Sequence, residues 1–397
     1  MKCIAIDDEP LALKQLTDYI SRVPFLSLVK SCQDAFEAMK PYLLGEYGNA
    51  SQPYSFARTA RKALQESRRL IAECIGALPE EIFFTSGGTE SDNWAIKGSA
   101  FSDSEKRTMI TSTIEHHAIL RACADIERLG YPVTYLSATS SGTIDPSELS
   151  KWINEKTRLV SIMMANNEIG SIQDISALAD IAHSKNVLFH TDAVQAVGHW
   201  PIDVAELDVD MLSASAHKFN GPKGIGFLYV RKGTIIRPYC SGGGQELGMR
   251  AGTENIAAIV GMATALKKNI SELAKSTAHL QYMEDCLING LRKNQVFFIR
   301  NGSEKHIPGN ISLSFAGYSG ESLLHRLDLM GICVSTGSAC DGNSTQISHV
   351  LQAIGLDEEI AKGTIRISLG KYNTEDDVNN IVSALVKIIA AYEKKKT

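Results

Sequence analysis

The chain has 397 residues, of which 44% are apolar and 21% charged, and its formal net charge is -5. This composition is typical of a soluble globular protein with more than one domain. The slight acidic excess argues against nucleic acid and anionic membranes as partners. The sequence contains no apolar stretch long enough to span a bilayer and no secretory signal pattern, so we expect a cytoplasmic protein.

The first forty residues resemble the opening of a response-regulator receiver domain. A strand at 2–6, the acidic run 7–9, an amphipathic helix and a strand at 25–29 follow that family's β-α-β pattern. In receiver domains the acidic pair helps to bind magnesium beside an aspartate on the third strand, and no third strand follows here. We interpret residues 1–38 as a truncated fragment that does not signal, with a junction near Ala38 or Met39.

From about Ser55 the pattern alternates between helical and strand periods. An apolar helix face at 60–75 precedes seven predicted strands, at 82–84, 108–111, 133–136, 159–163, 187–190, 211–213 and 225–230. Helical segments separate most of them, which is typical of an α/β fold with a largely parallel sheet covered on both faces. Ligands of such sheets bind at the carboxyl ends of the strands.

After Thr253 the pattern changes. It predicts a long helical stretch to about 291, strands near 296–299 and 311–315, a helix from Glu321, a strand at 364–368 and a last helix from Thr374. Fewer strands and a different periodicity predict a smaller α+β domain. The predicted domains are therefore 1–38, a large domain at 39–255, and a small C-terminal domain at 256–397.

The eight cysteines are scattered, with no Cys-x-x-Cys pair and no clustered histidine ligands. A zinc site or a disulfide framework is therefore not expected, and no metal is predicted. Cys340 differs from the others, because Gly337, Ser338 and Gly342 predict a polar, flexible loop around it. Accessible thiols are the ones that react, so Cys340 is a candidate nucleophile.

Three strand ends carry groups that one cofactor needs together. The stretch 86–91 (SGGTES) follows a strand and opens a helix, so its amides and the Thr89 hydroxyl can bind a phosphate at the positive end of that helix. Taken alone, it is an ordinary strand-to-helix turn. Asp192 ends a second strand and Lys218 follows a third. Phosphate cradle, carboxylate and imine-forming amine are the three anchors of pyridoxal phosphate.

His116 follows the strand at 108–111 and is a candidate for the face of the cofactor ring, where it could take part in proton transfer. Without the other anchors, His116 and its neighbour His117 would be interpreted as polar loop residues. Asp192 would keep the ring nitrogen protonated, so that electrons released at the substrate Cα can enter the ring.

Short motifs occur in a fixed order along the chain: SGGTESDN at 86–93, EH at 115–116, NNEIG at 166–170, TDAVQ at 191–195, SAHK at 215–218, GMRAGT at 248–253, GSAC at 337–340 and RISLG at 366–370. Together they resemble a cysteine desulfurase, of the group that includes the iron-sulfur cluster and nitrogen-fixation sulfur donors. The resemblance runs from about Glu37 to the C-terminus. It implies a fold-type-I pyridoxal-phosphate enzyme, with a mostly parallel seven-stranded sheet and a smaller α+β domain.

The resemblance also implies roles for single residues. Lys218 is similar to the lysine that binds the cofactor covalently, Cys340 to the persulfide-forming nucleophile, and Arg366 to the arginine that holds the substrate carboxylate. An unrelated surface arginine would look like Arg366 in isolation. The implied cofactor contacts are Gly88, Thr89, Ser215 and His217 at the phosphate, and His116, Asn167, Asp192 and Gln195 around the ring. Asn167 is also an implied contact of the substrate.

Thr253 matches a residue that reaches the phosphate of the neighbouring subunit, which implies a homodimer with shared sites. A helix cap before Asn255 would give the same sequence. The implied reaction converts L-cysteine to L-alanine and leaves the sulfur on Cys340, for delivery to a sulfur-acceptor or iron-sulfur scaffold protein. Cys340 could also contact a nascent iron-sulfur cluster transiently.

One feature departs from the family pattern. Family members begin with a strand and an Asp-Asn-Ala-Ala-Thr-Thr-like segment that lines the substrate pocket, and the receiver-like piece stands in its place here. Cofactor binding is expected regardless of that segment. The alternatives that stay open are a catalytically impaired sulfur-transfer scaffold, another enzyme of the same fold such as a selenocysteine lyase or an aminotransferase, and a phosphorylation-responsive regulator.

Overall fold

A computed structural model of the chain describes residues 2–3, 27–28, 33–336 and 347–396. Its strands are β1 (Lys2–Cys3), β2 (Ser27–Leu28), β3 (Ile82–Thr85), β4 (Thr108–Ser112), β5 (Val133–Leu136), β6 (Thr157–Ser161), β7 (Leu188–Asp192), β8 (Met211–Ser215), β9 (Gly226–Val230), β10 (Ile299–Asn301), β11 (Asn310–Ser314) and β12 (Thr364–Ser368). Its helices are α1 (Gln33–Leu44), α2 (Arg58–Ile75), α3 (Gly88–Ala100), α4 (His117–Arg128), α5 (Pro146–Trp152), α6 (Ile175–Ser184), α7 (Val204–Leu207), α8 (Ile256–Ser271), α9 (Leu273–Lys293), α10 (Gly320–Leu329), α11 (His349–Ala353), α12 (Glu358–Ala361) and α13 (Glu375–Lys396).

The larger sheet has seven strands in the order β3-β9-β8-β7-β6-β4-β5. Neighbours are parallel except at β9, which is antiparallel to both β3 and β8. Every residue of β3, β8 and β9 is buried, as expected when helices cover both faces of a sheet. The prediction of a mostly parallel seven-stranded sheet is therefore confirmed.

The smaller sheet is antiparallel, in the order β10-β11-β12, and packs against α9, α10 and α13. Ile311, Leu313, Ile365 and Ile367 are buried in its core. Because successive strand residues point to opposite faces, Arg366 between two of these isoleucines faces away from that core. The predicted α+β character of the C-terminal part is thus confirmed, and the sheet presents a polar face toward the larger sheet's domain.

Two predicted strands lie elsewhere than the sequence pattern placed them. The strand predicted at 159–163 is Thr157–Ser161. Beyond it the Met163 amide donates to the Glu115 side chain, while the Met164 amide still donates to the Asp192 carbonyl of β7. The strand predicted at 296–299 begins only at Ile299. Val296 instead donates its amide to the Leu291 carbonyl at the end of α9.

Helices α1 and α8 bear on the predicted domain limits. Helix α1 runs through residue 38 and buries Ala35 in the core of the large sheet. Helix α8, which follows residue 255, contributes Ile259, Met262 and Leu266 to that same core. The limits 1–38, 39–255 and 256–397 stay predictions.

Strands β1 and β2 pair in parallel, which is the pairing that a β-α-β unit requires. The acidic run at 7–9 and the predicted helix after it lie outside the described residues. Within the described ranges, no helix is long and apolar enough to cross a membrane, and no group of three His, Cys, Asp or Glu side chains could hold a metal ion.

Candidate active site

The parallel strands bring four predicted site residues to one edge of the large sheet. Asp192 ends β7, and Lys218 lies in a short 3-10 turn directly after β8. His116 and Asn167 follow β4 and β6. Since β8, β7, β6 and β4 are neighbours and parallel, their carboxyl ends meet at the same edge.

The predicted phosphate cradle is the turn between β3 and α3. Gly87 has a φ of 147°, a backbone conformation that favours glycine, and a Cβ on Gly88 would approach Val194 Cγ2 to 2.6 Å. The turn therefore has room only for bare backbone, and the amides in the first turn of the 13-residue helix α3 can bind an anion. Ser215 Oγ and His217 Nδ1 are 2.9 Å apart beside this turn.

Arg250 and Glu246 hold the glycine-rich loop that carries Thr253. Arg250 Nε donates to Glu90 Oε1 at 2.8 Å, so this loop is tied to the first turn of α3. Buried Glu246 accepts from Arg68 and, at 2.8 Å, from the Phe84 amide of β3. Thr253 itself is exposed on the surface of the single chain. Its predicted contact with a neighbouring subunit stays a prediction.

Asp192 is a buried carboxylate close to the Lys218 amine. Its Oδ1 accepts from the Val194 amide at 2.9 Å. Burial raises the pKa of Asp192 to about 6, and the charge of Lys218 opposes this shift. A buried carboxylate of this kind is stabilised by a protonated ring nitrogen, whose charge would favour its ionised form.

His116 is the N-cap of α4. Its Nδ1 accepts from the Ala118 amide at 3.1 Å, which leaves the proton of the neutral ring on Nε2. Burial, together with the charges of His117 and Lys218, lowers the pKa of His116. The ring is therefore neutral at physiological pH and presents Nε2–H as a donor.

A cavity of about 460 Å³ connects the edge of the large sheet with the polar face of the small sheet, and Lys218, Gln195, Asn167 and Arg366 line it together. Arg366 Nη1 donates to the Asn167 carbonyl at 2.9 Å. Arg366 Nε is buried and has no hydrogen-bond partner within the part of the chain that the structure describes. Nε and Nη2 form the side of a guanidinium that binds a carboxylate through two parallel hydrogen bonds.

Cys340 lies outside the described residues, and its predicted role stays a prediction. The segment that leads to it is nevertheless placed. Ser335 and Arg366 form a backbone bridge in which the Ser335 amide donates to the Arg366 carbonyl at 3.0 Å and the Arg366 amide donates to the Ser335 carbonyl at 2.6 Å. The loop of Cys340 therefore starts next to the arginine that the sequence predicts to bind substrate.

The chain is similar to a known protein family over most of its length. The family model "Aminotransferase class-V" matches residues 29–381. The relative named "Cysteine desulfurase IscS" from Dictyoglomus turgidum is 49% identical over 367 residues, 92% of each chain, and that from Methanosarcina thermophila is 46% identical over 90% of this chain and 89% of its own. The chain belongs to the cysteine desulfurase family of class-V aminotransferases.

Solved structures agree with this membership. One titled "NIFS-LIKE PROTEIN" has a TM-score of 0.84 at 40% identity, covering 90% of this chain and 95% of its own. Another, titled "SspA in complex with cysteine", has a TM-score of 0.77 at 38% identity, covering 86% and 96%. The predicted fold-type-I architecture is confirmed, and the cysteine desulfurase family uses pyridoxal 5'-phosphate.

The residues of this chain fit that cofactor. The glycine turn at 87–88 leaves backbone amides open to a phosphate, because a side chain at Gly88 would collide with Val194. Asp192 supplies a buried acceptor for the ring nitrogen, and Lys218 supplies the amine at the end of the neighbouring strand β8. Cradle, carboxylate and amine all lie at the carboxyl edge of one sheet.

Three buried ionisable groups near the site were missed by the sequence analysis. Burial raises the pKa of Asp92 well above its usual range and that of Glu115 to about 8, whereas it lowers the pKa of His190 to about 3. His190 bonds to Ser161 at 2.8 Å and Ser213 at 2.9 Å. A charged residue is usually expected at the surface, so Asp92 and Glu115 received no role although they lie within the motifs at 86–93 and 115–116.

We expect Asp192→Asn to raise the Tm of the cofactor-free protein at pH 8 while weakening its binding of pyridoxal phosphate. The folded-state pKa of about 6 exceeds the ordinary 3.8, so Asp192 ionises later in the folded chain than in the unfolded one. Stability is therefore lost as the pH rises between these values, and asparagine removes this loss. Thermal melts should show the variant's advantage at pH 8 and little at pH 4.5. Equal shifts at both pH values would contradict the expectation.

Proposed function

We propose that this chain is a pyridoxal-phosphate-dependent cysteine desulfurase that converts L-cysteine to L-alanine and keeps the sulfur as a persulfide on Cys340. The observation that carries the proposal is the cavity shared by Lys218 and Arg366, in which the buried Arg366 Nε lacks a partner among the described residues. An amine and a carboxylate receptor in one cavity suit an α-amino acid. Both relatives named above are called cysteine desulfurases, and one similar structure is titled as a complex with cysteine.

The cofactor would be held from three sides. The amides of Gly88 and Thr89, with Ser215 and His217, would bind its phosphate. Asp192 would accept a hydrogen bond from its ring nitrogen, and His116 and Gln195 would lie beside the ring. When bound, pyridoxal phosphate supplies an electron sink for the bonds at the substrate Cα.

The substrate would be oriented by its carboxylate. Arg366 offers Nε and Nη2 for a bidentate contact, while its Nη1 stays on the Asn167 carbonyl at 2.9 Å. This second contact fixes the plane of the guanidinium before substrate arrives. Lys218 Nζ would then accept the Cα proton, as a general base within reach of that carbon.

The sulfur transfer balances without an outside oxidant or reductant. A bond forms between the Cys340 sulfur and the substrate sulfur, and the substrate Cβ–S bond breaks. Cβ receives a proton in place of sulfur, so L-cysteine and the enzyme thiol give L-alanine and an enzyme persulfide. Lys218 Nζ, which holds the proton taken from Cα, is the proposed source of a proton for the product.

We further propose a sulfur-acceptor or iron-sulfur scaffold protein as the partner that receives the persulfide sulfur. The family membership supports this partner. A homodimer in which Thr253 reaches the neighbouring phosphate site is also proposed, since Thr253 lies exposed on a loop that Arg250 and Glu246 hold in place. The cytoplasmic location predicted from the sequence belongs to the same proposal.

We expect Cys340→Ala to abolish cysteine-dependent sulfide and alanine formation while the cofactor still binds. The thiol acts on sulfur, and the phosphate and ring contacts do not involve it. Alanine production and the absorbance of the bound cofactor should be measured on one sample. Cys333→Ala is the matched control, because Cys333 is exposed and seven residues upstream. Undiminished alanine formation by Cys340→Ala would point instead to a lyase of the same fold, which does not need this thiol, whereas an aminotransferase would form the keto acid of cysteine.

A further inference from the structure

The turn that carries Lys218 is held by side chains to which the proposed reaction gives no role. The Asn220 and Gly221 amides close the turn on the Ala216 carbonyl. The carbonyls of Lys218 and Phe219 accept hydrogen bonds from side chains. His199 Nε2 donates to the Lys218 carbonyl at 2.8 Å, and Asn269 Nδ2 donates to the Phe219 carbonyl. The position of Lys218 therefore depends on side chains from elsewhere in the chain.

Asn269 lies in the last turn of α8 and is only 7% exposed. Its amide has a defined orientation, because Nδ2 faces a carbonyl and Oδ1 faces donors. Oδ1 accepts from Lys371 Nζ at 3.4 Å and from Asn220 Nδ2 at 3.5 Å. A buried amide with both ends engaged has little freedom to rotate, so it fixes the groups that it joins.

Lys371 brings the small sheet into the same network. It follows β12 at five residues after Arg366, and its side chain is 15% exposed. Its Nζ donates to Glu272 Oε2 at 2.8 Å, at the junction between α8 and α9. Lys371, Asn269 and His199 all line the cavity that also contains Lys218 and Arg366. The chain after the substrate-binding strand is thereby linked to the turn of the amine.

We propose that Asn269 and Lys371 are positioning residues for Lys218: Asn269 fixes the turn through the Phe219 carbonyl, and Lys371, anchored by Glu272, fixes Asn269. The inference rests on the proposed function in taking Lys218 as the reacting amine. Lys371 does not act as a second carboxylate receptor in this scheme, because Glu272 already engages its ammonium group.

Steady-state kinetics of the holoenzyme give the first test. We expect Asn269→Ala and Lys371→Met each to lower kcat for alanine formation about tenfold, because a displaced amine meets the Cα proton poorly. KM for L-cysteine should change less than about twofold, since Arg366 is untouched. The double variant should be no slower than Asn269→Ala alone, because Lys371 is proposed to act on the turn only through Asn269. Lys371→Arg should restore most of the rate.

Amide hydrogen exchange in the cofactor-free protein gives a second test that needs no activity. Exchange of residues 216–221 should be about tenfold faster in both variants, because loosening the turn exposes the Asn220 and Gly221 amides. Lys268→Met is the matched control, since this neighbouring lysine pairs with Asp34 instead of Asn269. It should leave kcat, KM and exchange unchanged.

The outcomes separate the inference from the proposed function. A raised KM with unchanged kcat in Lys371→Met would make Lys371 a substrate-binding residue and overturn the inference. Unchanged exchange of residues 216–221 in both variants would also overturn it. If the unsubstituted enzyme formed no alanine from L-cysteine, the proposed function would fall, and the exchange measurement would still decide whether Asn269 and Lys371 hold the turn. Should Asn269→Ala not fold, Lys371→Met carries both tests.

Discussion

Lys218→Ala is expected to lower the rate of alanine formation from L-cysteine by about 100- to 10,000-fold, the range lost when a positioned general base is removed. Among the residues that the structure describes, neither His116 nor Asp192 at the carboxyl edge of the sheet can replace the amine. His116 is neutral and its Nδ1 accepts from the Ala118 amide, while Asp192 is proposed to bond the ring nitrogen of the cofactor. The rate should be measured as L-alanine formed per enzyme-bound cofactor, so that weaker cofactor binding is not counted as slower chemistry.

The control for this variant is Lys223→Ala. Lys223 is exposed and only five residues further along the chain, so it tests the loss of a lysine from the same segment. It should retain the parent's rate and absorbance spectrum. In Lys218→Ala, the spectrum of bound pyridoxal phosphate should change because the amine is gone. A Lys218→Ala protein that kept a tenth of the parent's rate would remove Lys218 from its proposed role.

Arg366→Ala is expected to reduce kcat/KM for L-cysteine by about 100- to 1,000-fold, which corresponds to about 3–4 kcal/mol of charge-assisted hydrogen bonding. Arg366→Lys should recover little, because an ammonium group cannot reproduce the bidentate geometry of the guanidinium. Most of the effect should appear in KM, since the carboxylate contact persists from the bound substrate to the transition state. Steady-state kinetics over a wide range of L-cysteine concentrations measure how the loss is divided between KM and kcat.

A substrate lacking the carboxylate charge provides the sharper measurement. The parent enzyme should prefer L-cysteine strongly over L-cysteine methyl ester, and Arg366→Ala should lose that preference, because the lost contact is specific to the carboxylate. Arg292→Ala, on the exposed surface of α9, should keep the preference. An undiminished preference in Arg366→Ala would show that another group binds the carboxylate.

Sequence reasoning located the anchors because it used a rule about where strands end. His116, Asp192 and Lys218 each follow a predicted strand, and in a parallel sheet those ends coincide. The strand order and the antiparallel orientation of β9 could not be predicted in this way, because they depend on pairings between distant segments. The failure at 296–299 has a local cause: Val296 is apolar like a strand residue but finishes a helix by donating to Leu291.

The residues that hold the Lys218 turn could not be found from local pattern alone. Lys371 looks like a charged loop residue, and its contacts with Glu272 and Asn269 span about a hundred positions of sequence. Asn269 did leave a signal. It follows Met262 and Leu266 on the apolar stripe of α8, at helical spacing, so an amide falls where a hydrophobic side chain is expected. A polar residue on a buried stripe requires a partner.

The backbone bridge between Ser335 and Arg366 limits how far Cys340 can lie from a substrate that Arg366 binds. Cys340 follows Ser335 by five positions, and an extended chain covers at most about 3.5 Å per residue, so the Cα atoms of the two residues lie within about 18 Å of each other. In the proposed reaction, this limit on chain length alone gives the Cys340 thiol an effective concentration on the order of millimolar or above near a substrate bound by Arg366. Free thiols from solution are then poor competitors for the substrate sulfur, which favours its transfer to Cys340 in the proposed reaction.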